Sequence, residues 1–339
     1  MDPDEGCAHG MKPSFSKTPS VRSDGDWAAR WEARLREGLS AQAQVLRQEP
    51  MARRTTWRVG GPADWLVEPA GESDLAWVLR VCRAEGVPIL VLGRGSNLLV
   101  MDGGIRGVVI ALTHPVWQRI EVMGHRIRCG AGVRLKVLAG AARDAGLSGL
   151  EFLEGIPGSV GGALRMNAGA MGSSTFDVVE TVRCMDGEGR VEEWPAEALG
   201  ARYRSCEGLK GRIALEAVFK GAPASRAEIQ ERMRRYSERR WATQPAAPSA
   251  GCVFKNPVGL SAGQLLDELG CKGWREGGAR VSEEHANFIV TEPGATAADV
   301  LRLMRRLQEH VRARRGIELE PEVQIVGEPI EAKGCWSGD

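Results

Sequence analysis

The spacing of apolar residues divides the chain into three blocks. In the first, Trp27, Trp31, Leu35 and Leu39 recur at helical spacing behind Asp26, which predicts a helix capped by that aspartate. A second helix is predicted after Ser73, where Leu75, Val78, Leu79 and Cys82 share one face and Gly86 ends the pattern. The unbroken apolar run at 88–92 suits a buried strand. GRGSN at 93–97 then makes a turn, and a short apolar run follows at 98–100. This block reads as α/β.

The middle block alternates differently. Segments 107–112, 126–129, 178–185 and 212–220 read as strands separated by glycine turns, with one helix through Leu135, Leu138 and Ala142 that ends at Gly146. That is a sheet-rich α+β pattern. The last block opens with a charged helix at 227–241, broken by the prolines after Gln244. Ser261 with Gln264 and Thr296 with Asp299 have helix-start spacing. The second pair leads into the clearest amphipathic helix of the chain, through Val300, Leu303, Met304, Leu307 and Val311. Arginines fill its last turn and Gly316 follows it. Segment 320–326 reads as a closing strand. Residues 1–25 are polar and aperiodic and read as a disordered extension, and 329–339 as a short tail.

Composition narrows the class. The 339 residues leave room for about two domains, with space for a third small one. Lys plus Arg (45) and Asp plus Glu (44) cancel, so the basic footprint of a nucleic-acid binder is missing. No apolar run reaches the ~18 residues of a membrane span, and the N-terminus lacks a signal-peptide pattern, so a cytoplasmic protein is expected. The eight cysteines have no CxxC pair, which predicts no metal site and reduced, mostly buried thiols.

The 43 glycines carry the chemistry. GRGSN at 93–97 lets backbone N–H groups approach a phosphate, but it lacks the third glycine of the Rossmann fingerprint. A second run places glycines at 155, 158, 161 and 162. Each costs about 0.5–1 kcal/mol relative to Ala in regular structure. Ile156, Val160 and Met166 lie among them, so this loop is expected to be buried and ordered. Two such loops facing one another would clamp a diphosphate.

Six motifs in order make the pattern specific: TTWRVGGPA at 55–63, GRGSN at 93–97, the glycine run at 155–170, Tyr203-Arg204, AGCVFKNP at 250–257 and LEPEV at 319–323. Together they resemble the UDP-N-acetylenolpyruvoylglucosamine reductase family, in its shorter form without a tyrosine-bearing lid. The resemblance spans roughly residues 39–327. It implies an α+β fold: a two-part FAD-binding unit of the vanillyl-alcohol-oxidase type (26–110 and 111–222), followed by a smaller α+β substrate domain (223–328). FAD contacts are implied for Thr56, Val59, Gly60, Gly93, Arg94, Gly95, Ser96 and Asn97. They are also implied for Gly155, Ile156, Pro157, Gly158, Gly161, Gly162, Asn167, Ala168 and Gly169. With no histidine in either loop, the FAD is expected to be non-covalent.

The resemblance also implies a reaction. NADPH reduces FAD, and reduced FAD delivers a hydride to the enolpyruvyl group of a UDP-sugar, a step of peptidoglycan precursor synthesis. Arg204 and Glu322 are then expected at the developing enolate, and the residue at 252 is its proton donor. That residue is Cys here, where most family members carry Ser. A thiol of ordinary pKa ~8.5 is a better matched acid than an alcohol, and is open to oxidation and alkylation. A bare Glu322 anion would oppose the enolate, so it is either protonated or partnered by a cation. Tyr203, Lys255 and Asn256 are the expected substrate contacts. Arg239 and Arg240 read as a solvated helix face, with the UDP diphosphate as their alternative partner. No obligate protein partner is expected. A flavin oxidase of the same superfamily, or a flavin-binding protein without catalysis, are the competing readings.

Overall fold

The computed structural model describes residues 25–330. The extension at 1–24 and the tail from 331 lie outside the described residues. Helix α1 (Gly25–Arg36) starts one residue before Asp26, so Asp26 lies within it, not at its cap. Trp31 and Trp27 stack at 6.0 Å, and both meet the edge of Trp65, which seats the helix on the first sheet.

That sheet holds β1 (Gln44–Pro50), β2 (Pro62–Glu68), β3 (Ile89–Leu92) and β5 (Ile105–Ala111), in the spatial order β1-β2-β5-β3. β4 (Leu98–Val100) runs apart from it. β2, β5 and β3 are parallel and β1 is antiparallel. Side chains alternate between the two faces, and both faces are buried. Trp65, Val67, Val108 and Ile110 enter the main core with α2 (Glu72–Ala84), while Leu66, Val109 and Ala111 enter a smaller core with Met51 and Val100. A parallel sheet covered on both sides reads as continuous apolar runs, so β2 carries no period-2 signal. This is why sequence spacing does not reveal β2, while β1 is a largely exposed antiparallel edge strand with one buried residue, Val45.

The second unit is a five-stranded antiparallel sheet. Its order is Val191–Pro195, Val179–Met185, Ile213–Lys220, Arg126–Gly130, Ile120–Met123. Helices α3 (Leu135–Asp144) and α4 (Val160–Met166) lie against it. α4 is a difference from expectation. Residues 160–166 form a helix although Gly161 and Gly162 open it, because Val160, Ala163 and Leu164 are buried and packing outweighs glycine's poor propensity.

Helix α5 (Arg226–Thr243) begins at Ser225 with a reciprocal capping box. Ile229 and Met233 bury in the same core as Leu138 and Phe152. Arg232 bonds both Glu151 Oε1 and Ser148 Oγ at 2.9 Å. The helix therefore packs with the second unit, and the third unit's own core begins only at Ala250, later than the expected boundary at 223.

The third unit contains α6 (Ala262–Glu268), α7 (Ala297–Arg315) and three short antiparallel strands. The Thr296–Asp299 pair is a two-way capping box. At α6 only Ser261 Oγ accepts, from Gln264 N–H. The closing strand is shorter than expected, Gln324–Val326, and pairs in parallel with β4. Trp57, fully buried, crosses into this unit: its Nε1–H donates to Ile289 O at 2.7 Å, and Thr291 Oγ1 donates back to Trp57 O at 2.6 Å.

Asp102, just after β4, accepts the amides of Ala297 and Ala298 at 2.8 and 2.9 Å and so completes the start of α7 from another unit. Asp102→Ala should lower stability by about 1–2 kcal/mol, the usual cost of removing a helix cap. Urea unfolding checks this. An unchanged midpoint would mean that water replaces the carboxylate without loss.

Candidate active site

The two glycine loops meet. A Cβ on Gly93 would lie 3.1 Å from Ser159 Oγ, and one on Gly158 would lie 3.9 Å from Ser96 Oγ. The first loop leaves its N–H groups unpaired: among the described residues no protein acceptor takes the amides of Gly93, Arg94, Gly95, Ser96 or Asn97. A row of free N–H groups is an anion-binding concavity. Gly95 is forced by the turn, with φ +61° and a Cβ position 2.2 Å from Arg54 O.

In the second loop the glycines divide by cause. Gly161 donates its amide to Ala131 O at 2.9 Å, and its Cβ position is 3.2 Å from Ala131 Cβ, so protein packing requires it. Gly155, Gly158 and Gly162 have ordinary φ, and a Cβ would meet nothing nearer than 3.9, 3.5 and 3.6 Å. The protein itself leaves room for a side chain there. A ligand lying on the backbone explains why none is present, and the loop therefore fits a dinucleotide.

A cavity of about 240 Å³ opens on Gly155, Ile156, Pro157 and Gly158, walled by Arg94, Arg134, Lys136 and Arg240 with Trp241 at its rim. Glu154, paired with Lys136 at 3.1 Å, is the carboxylate among them. Burial lowers the pKa of Arg94, and neighbouring Arg134 adds to this by repulsion. Burial also lowers that of Arg240, against the pull of Glu154. This excess of positive charge beside free amides suits phosphate. Arg240 is thus turned to the glycine loop, not to solvent, and Arg134 was not singled out from sequence. Its only signal is a basic residue directly before α3.

Of the other expected cofactor residues, Thr56 bonds loop atom Gly95 O through its amide at 3.2 Å. Val59 instead lies in the third unit's core, and Gly60 is required by Val100, 2.7 Å from its Cβ position. Asn167, at φ +40° behind α4, spends its side chain within the protein. Oδ1 accepts from Phe176 N–H and Nδ2 donates to Arg202 O. Ala168 O accepts from Thr175, and Gly169 pairs with Ser174 in a two-residue ladder.

The bond from Asn167 fixes a hairpin, Ala201–Arg202 with Ser205–Cys206, whose two-residue turn is Tyr203 and Arg204. Arg204 sits at φ +55°, a backbone region costly for a side chain of this size and concentrated at functional sites. Its guanidinium stacks over the Tyr203 ring at 5.3 Å, and its Nε lies 2.6 Å from Glu322 Oε1. The Nε–H does not point at the carboxylate, so this is an ion pair and not a hydrogen bond. Glu322 is anchored by its backbone: its N–H donates to Val253 O at 2.8 Å, and its carbonyl accepts from Asn97 Nδ2 at 3.2 Å. The first glycine loop is thereby laced to the segment carrying the carboxylate, just before the closing strand. Burial raises the Glu322 pKa, opposed by Arg204 and Lys255. Of the two readings for this carboxylate, the geometry supplies the cation.

Cys252 faces the same pair. Burial pushes its thiol up to about 12 and Glu322 adds to this, while Arg204 and a hydrogen bond from Asn287 oppose it. It is the one partly exposed cysteine among the described residues, and Cys82, Cys129, Cys184, Cys206 and Cys271 are buried as expected. Lys255 pairs with Glu320 at 3.0 Å, and Asn256 Oδ1 caps Ala262 N–H at the start of α6, so only its amide hydrogens are left for a ligand.

The fold and site define an FAD-dependent oxidoreductase built on a two-part flavin-binding unit with a separate α+β domain. Residues 63–194 match a family described as "FAD binding domain", and 244–326 match "UDP-N-acetylenolpyruvoylglucosamine reductase, C-terminal domain". The chain belongs to the UDP-N-acetylenolpyruvoylglucosamine reductase family. It is 48% identical over 297 residues to the protein of that name from Geobacter metallireducens, covering 87% of this chain and 98% of that one. It is 46% identical over 297 residues to UDP-N-acetylenolpyruvoylglucosamine reductase 2 of Symbiobacterium thermophilum, covering 87% and 96%. The crystal structure of the Thermus caldophilus reductase superposes with a TM-score of 0.74 at 39% identity, covering 84% of this chain and 99% of that one.

Two outcomes follow. Gly162→Ala should keep or raise the melting temperature of the apoprotein, since Ala favours a helix by about 1 kcal/mol, while weakening FAD binding. Absorbance of the purified flavoprotein and a thermal melt read both, and full flavin content would refute the cradle at this glycine. With a thiol held near 12, Cys252 stays protonated at pH 7.5 and should resist iodoacetamide, contrary to the ready alkylation expected of an ordinary thiol. Its alkylation rate should rise about tenfold per pH unit up to pH ~10 without a plateau. Mass spectrometry of the Cys252 peptide follows this, and a plateau near pH 8 would contradict it.

Proposed function

We propose that this chain reduces the enolpyruvyl group of UDP-N-acetylglucosamine enolpyruvate to UDP-N-acetylmuramate with NADPH, in peptidoglycan precursor synthesis, and that Cys252 is its proton donor. The observation that carries the site assignment is the convergence of Cys252 with the Arg204–Glu322 ion pair, whose glutamate is tied to the first glycine loop by Asn97. FAD, when bound between the loops, supplies the hydride transfer between NADPH and the methylene carbon of the substrate.

The chain's own residues manage charge and proton. Arg204 uses its Nε edge against Glu322, and its terminal nitrogens donate no hydrogen bond to the protein among the described residues. They are free to hold the substrate carboxylate, and a guanidinium stabilises the charge arriving there without ever losing its own proton. Glu322 orients that guanidinium, and its own charge is balanced by it. The Cys252 thiol, kept protonated by burial, gives its proton to the carbon beside the carboxylate. Proximity to Arg204 favours the thiolate left behind. Tyr203 covers the guanidinium, and Lys255 adds positive charge near Glu322. The reading extends to a cytoplasmic enzyme acting without an obligate protein partner. No helix among the described residues is long and apolar enough to cross a membrane.

The test separates the two half-reactions by rapid mixing. Cys252→Ala should leave flavin reduction by NADPH nearly intact, because no enolate exists at that stage. Oxidation of the reduced enzyme by substrate should slow about 100- to 10,000-fold, the usual worth of positioned acid catalysis. Cys252→Ser should recover much of that loss. Equal slowing of both steps would mark Cys252 as structural, and no slowing of the second would assign the proton to another acid.

A further inference from the structure

Residues 252–255 form no regular strand, yet the proton donor must be held to a fraction of an ångström. The segment leaves Gly251 at φ +78° and is held by backbone bonds on both sides, among them Glu322 N–H to Val253 O at 2.8 Å. Val253 N–H donates to Asn287 O at 2.9 Å, and Lys255 N–H donates to Glu320 O at 2.9 Å. Cys252 stands opposite Phe288, and Phe254 opposite Pro321, which has no N–H to give. On the other side, the Asn287 side chain itself pairs with the Phe254 backbone. Its Oδ1 accepts from Phe254 N–H at 3.0 Å and its Nδ2 donates to Phe254 O at 2.9 Å. Asn287 is 1% exposed, and its own amide is fixed on His285 Nδ1 at 3.1 Å. Nδ2 carries two hydrogens, one of them spent on Phe254. That amide also favours the Cys252 thiolate, against burial and the Glu322 charge.

We propose that Asn287 is a positioning residue for the proton transfer: its amide clamps Phe254, thereby fixing the Cys252 thiol toward Arg204 and Glu322, and lends its second N–H to the sulfur. The proposal rests on Cys252 as the donor. In that step the S–H bond breaks, the proton bonds to the substrate carbon beside the carboxylate, and the bonding pair stays on sulfur as a thiolate, later reprotonated by water. A hydrogen bond donated to sulfur favours the thiolate over the thiol, against the burial and the Glu322 charge that disfavour it. Clamp and donor are thus two uses of one amide. An apolar residue of equal volume would provide neither, and would leave a buried N–H and C=O of Phe254 unpaired.

The test uses the FAD-loaded enzyme with Asn287→Ala, made both in the wild type and in Cys252→Ala. In the wild-type background, substrate reduction by pre-reduced enzyme should slow about 10-fold, with flavin reduction by NADPH changed less than about 2-fold. In the Cys252→Ala background the same substitution should slow substrate reduction less than about 2-fold, since the group it acts through is gone. The pH curve of Cys252 alkylation by iodoacetamide, read by mass spectrometry, should move to higher pH. Should Asn287→Ala fail to retain FAD, Asn287→Asp carries the same test, because it keeps the acceptor for Phe254 N–H. Equal slowing of both half-reactions, or an undiminished loss in Cys252→Ala, overturns the proposal. An unshifted alkylation curve also overturns it, whatever Cys252 does. If instead Cys252→Ala leaves substrate reduction intact, the donor assignment fails, while a shifted curve still shows that Asn287 holds the thiol.

Discussion

Two backbone loops from different units have to come within van der Waals contact while the amides of the first stay unpaired. A side chain on Gly93 would touch Ser159, and one on Gly158 would touch Ser96. Unpaired amides are costly wherever water is excluded, so the rest of the structure has to hold the loops open and close together. The parallel strands β3 and β5 fix the start of the first loop, and β4, paired with Gln324–Val326, fixes its end. The second loop is clamped onto residues 131–135 by amides of Val160 and Gly161. The resulting gap, lined by Arg94, Arg134 and Arg240, is positive and floored by glycine.

Catalytic geometry hangs on the same frame. Asn97 belongs to the first loop, and its side chain reaches the carbonyl of Glu322 while its own carbonyl accepts from Gln324 N–H. Anything that displaces the loop therefore displaces the carboxylate that orients Arg204. Arg204 is supported from the other side by Asn167, whose bond to Arg202 holds the hairpin behind the second loop. The strained φ of Arg204 is tolerated because neighbouring contacts over-determine the turn.

Cysteine in place of serine changes less than its free-solution acidity suggests. Burial and Glu322 together push the thiol well above its ordinary value, which brings it nearer to a hydroxyl in behaviour. It is kept as an acid and withheld as a nucleophile. The residue that would face oxidants as an ordinary exposed thiol is thus protected by the surroundings that make it useful.

The sequence by itself determined the helices with apolar stripes and caps and the strands flanking the glycine turns. Those signals are local. Thr296 with Asp299 and the stripe from Val300 to Val311 lie within single elements, so spacing is enough to read them. Six separated motifs also carried the family. What remained undecided was set by contacts across long separations. β2 is covered on both faces and loses its alternation, and α4 forms over two glycines because its other residues are buried. Val59 and Gly60 sit in a motif and serve packing, and Gly161 lies tightly against Ala131, contacts that no local pattern shows. Arg240 looks solvated on a charged helix until α5 is packed against the glycine loop. Asn287 carries no local signal, since its partner Phe254 is 33 residues away. Whether Glu322 meets a cation depends on where the 203–204 turn lands, and only the tertiary structure brings Arg204 to it, because charge pairing acts through space and not along the chain.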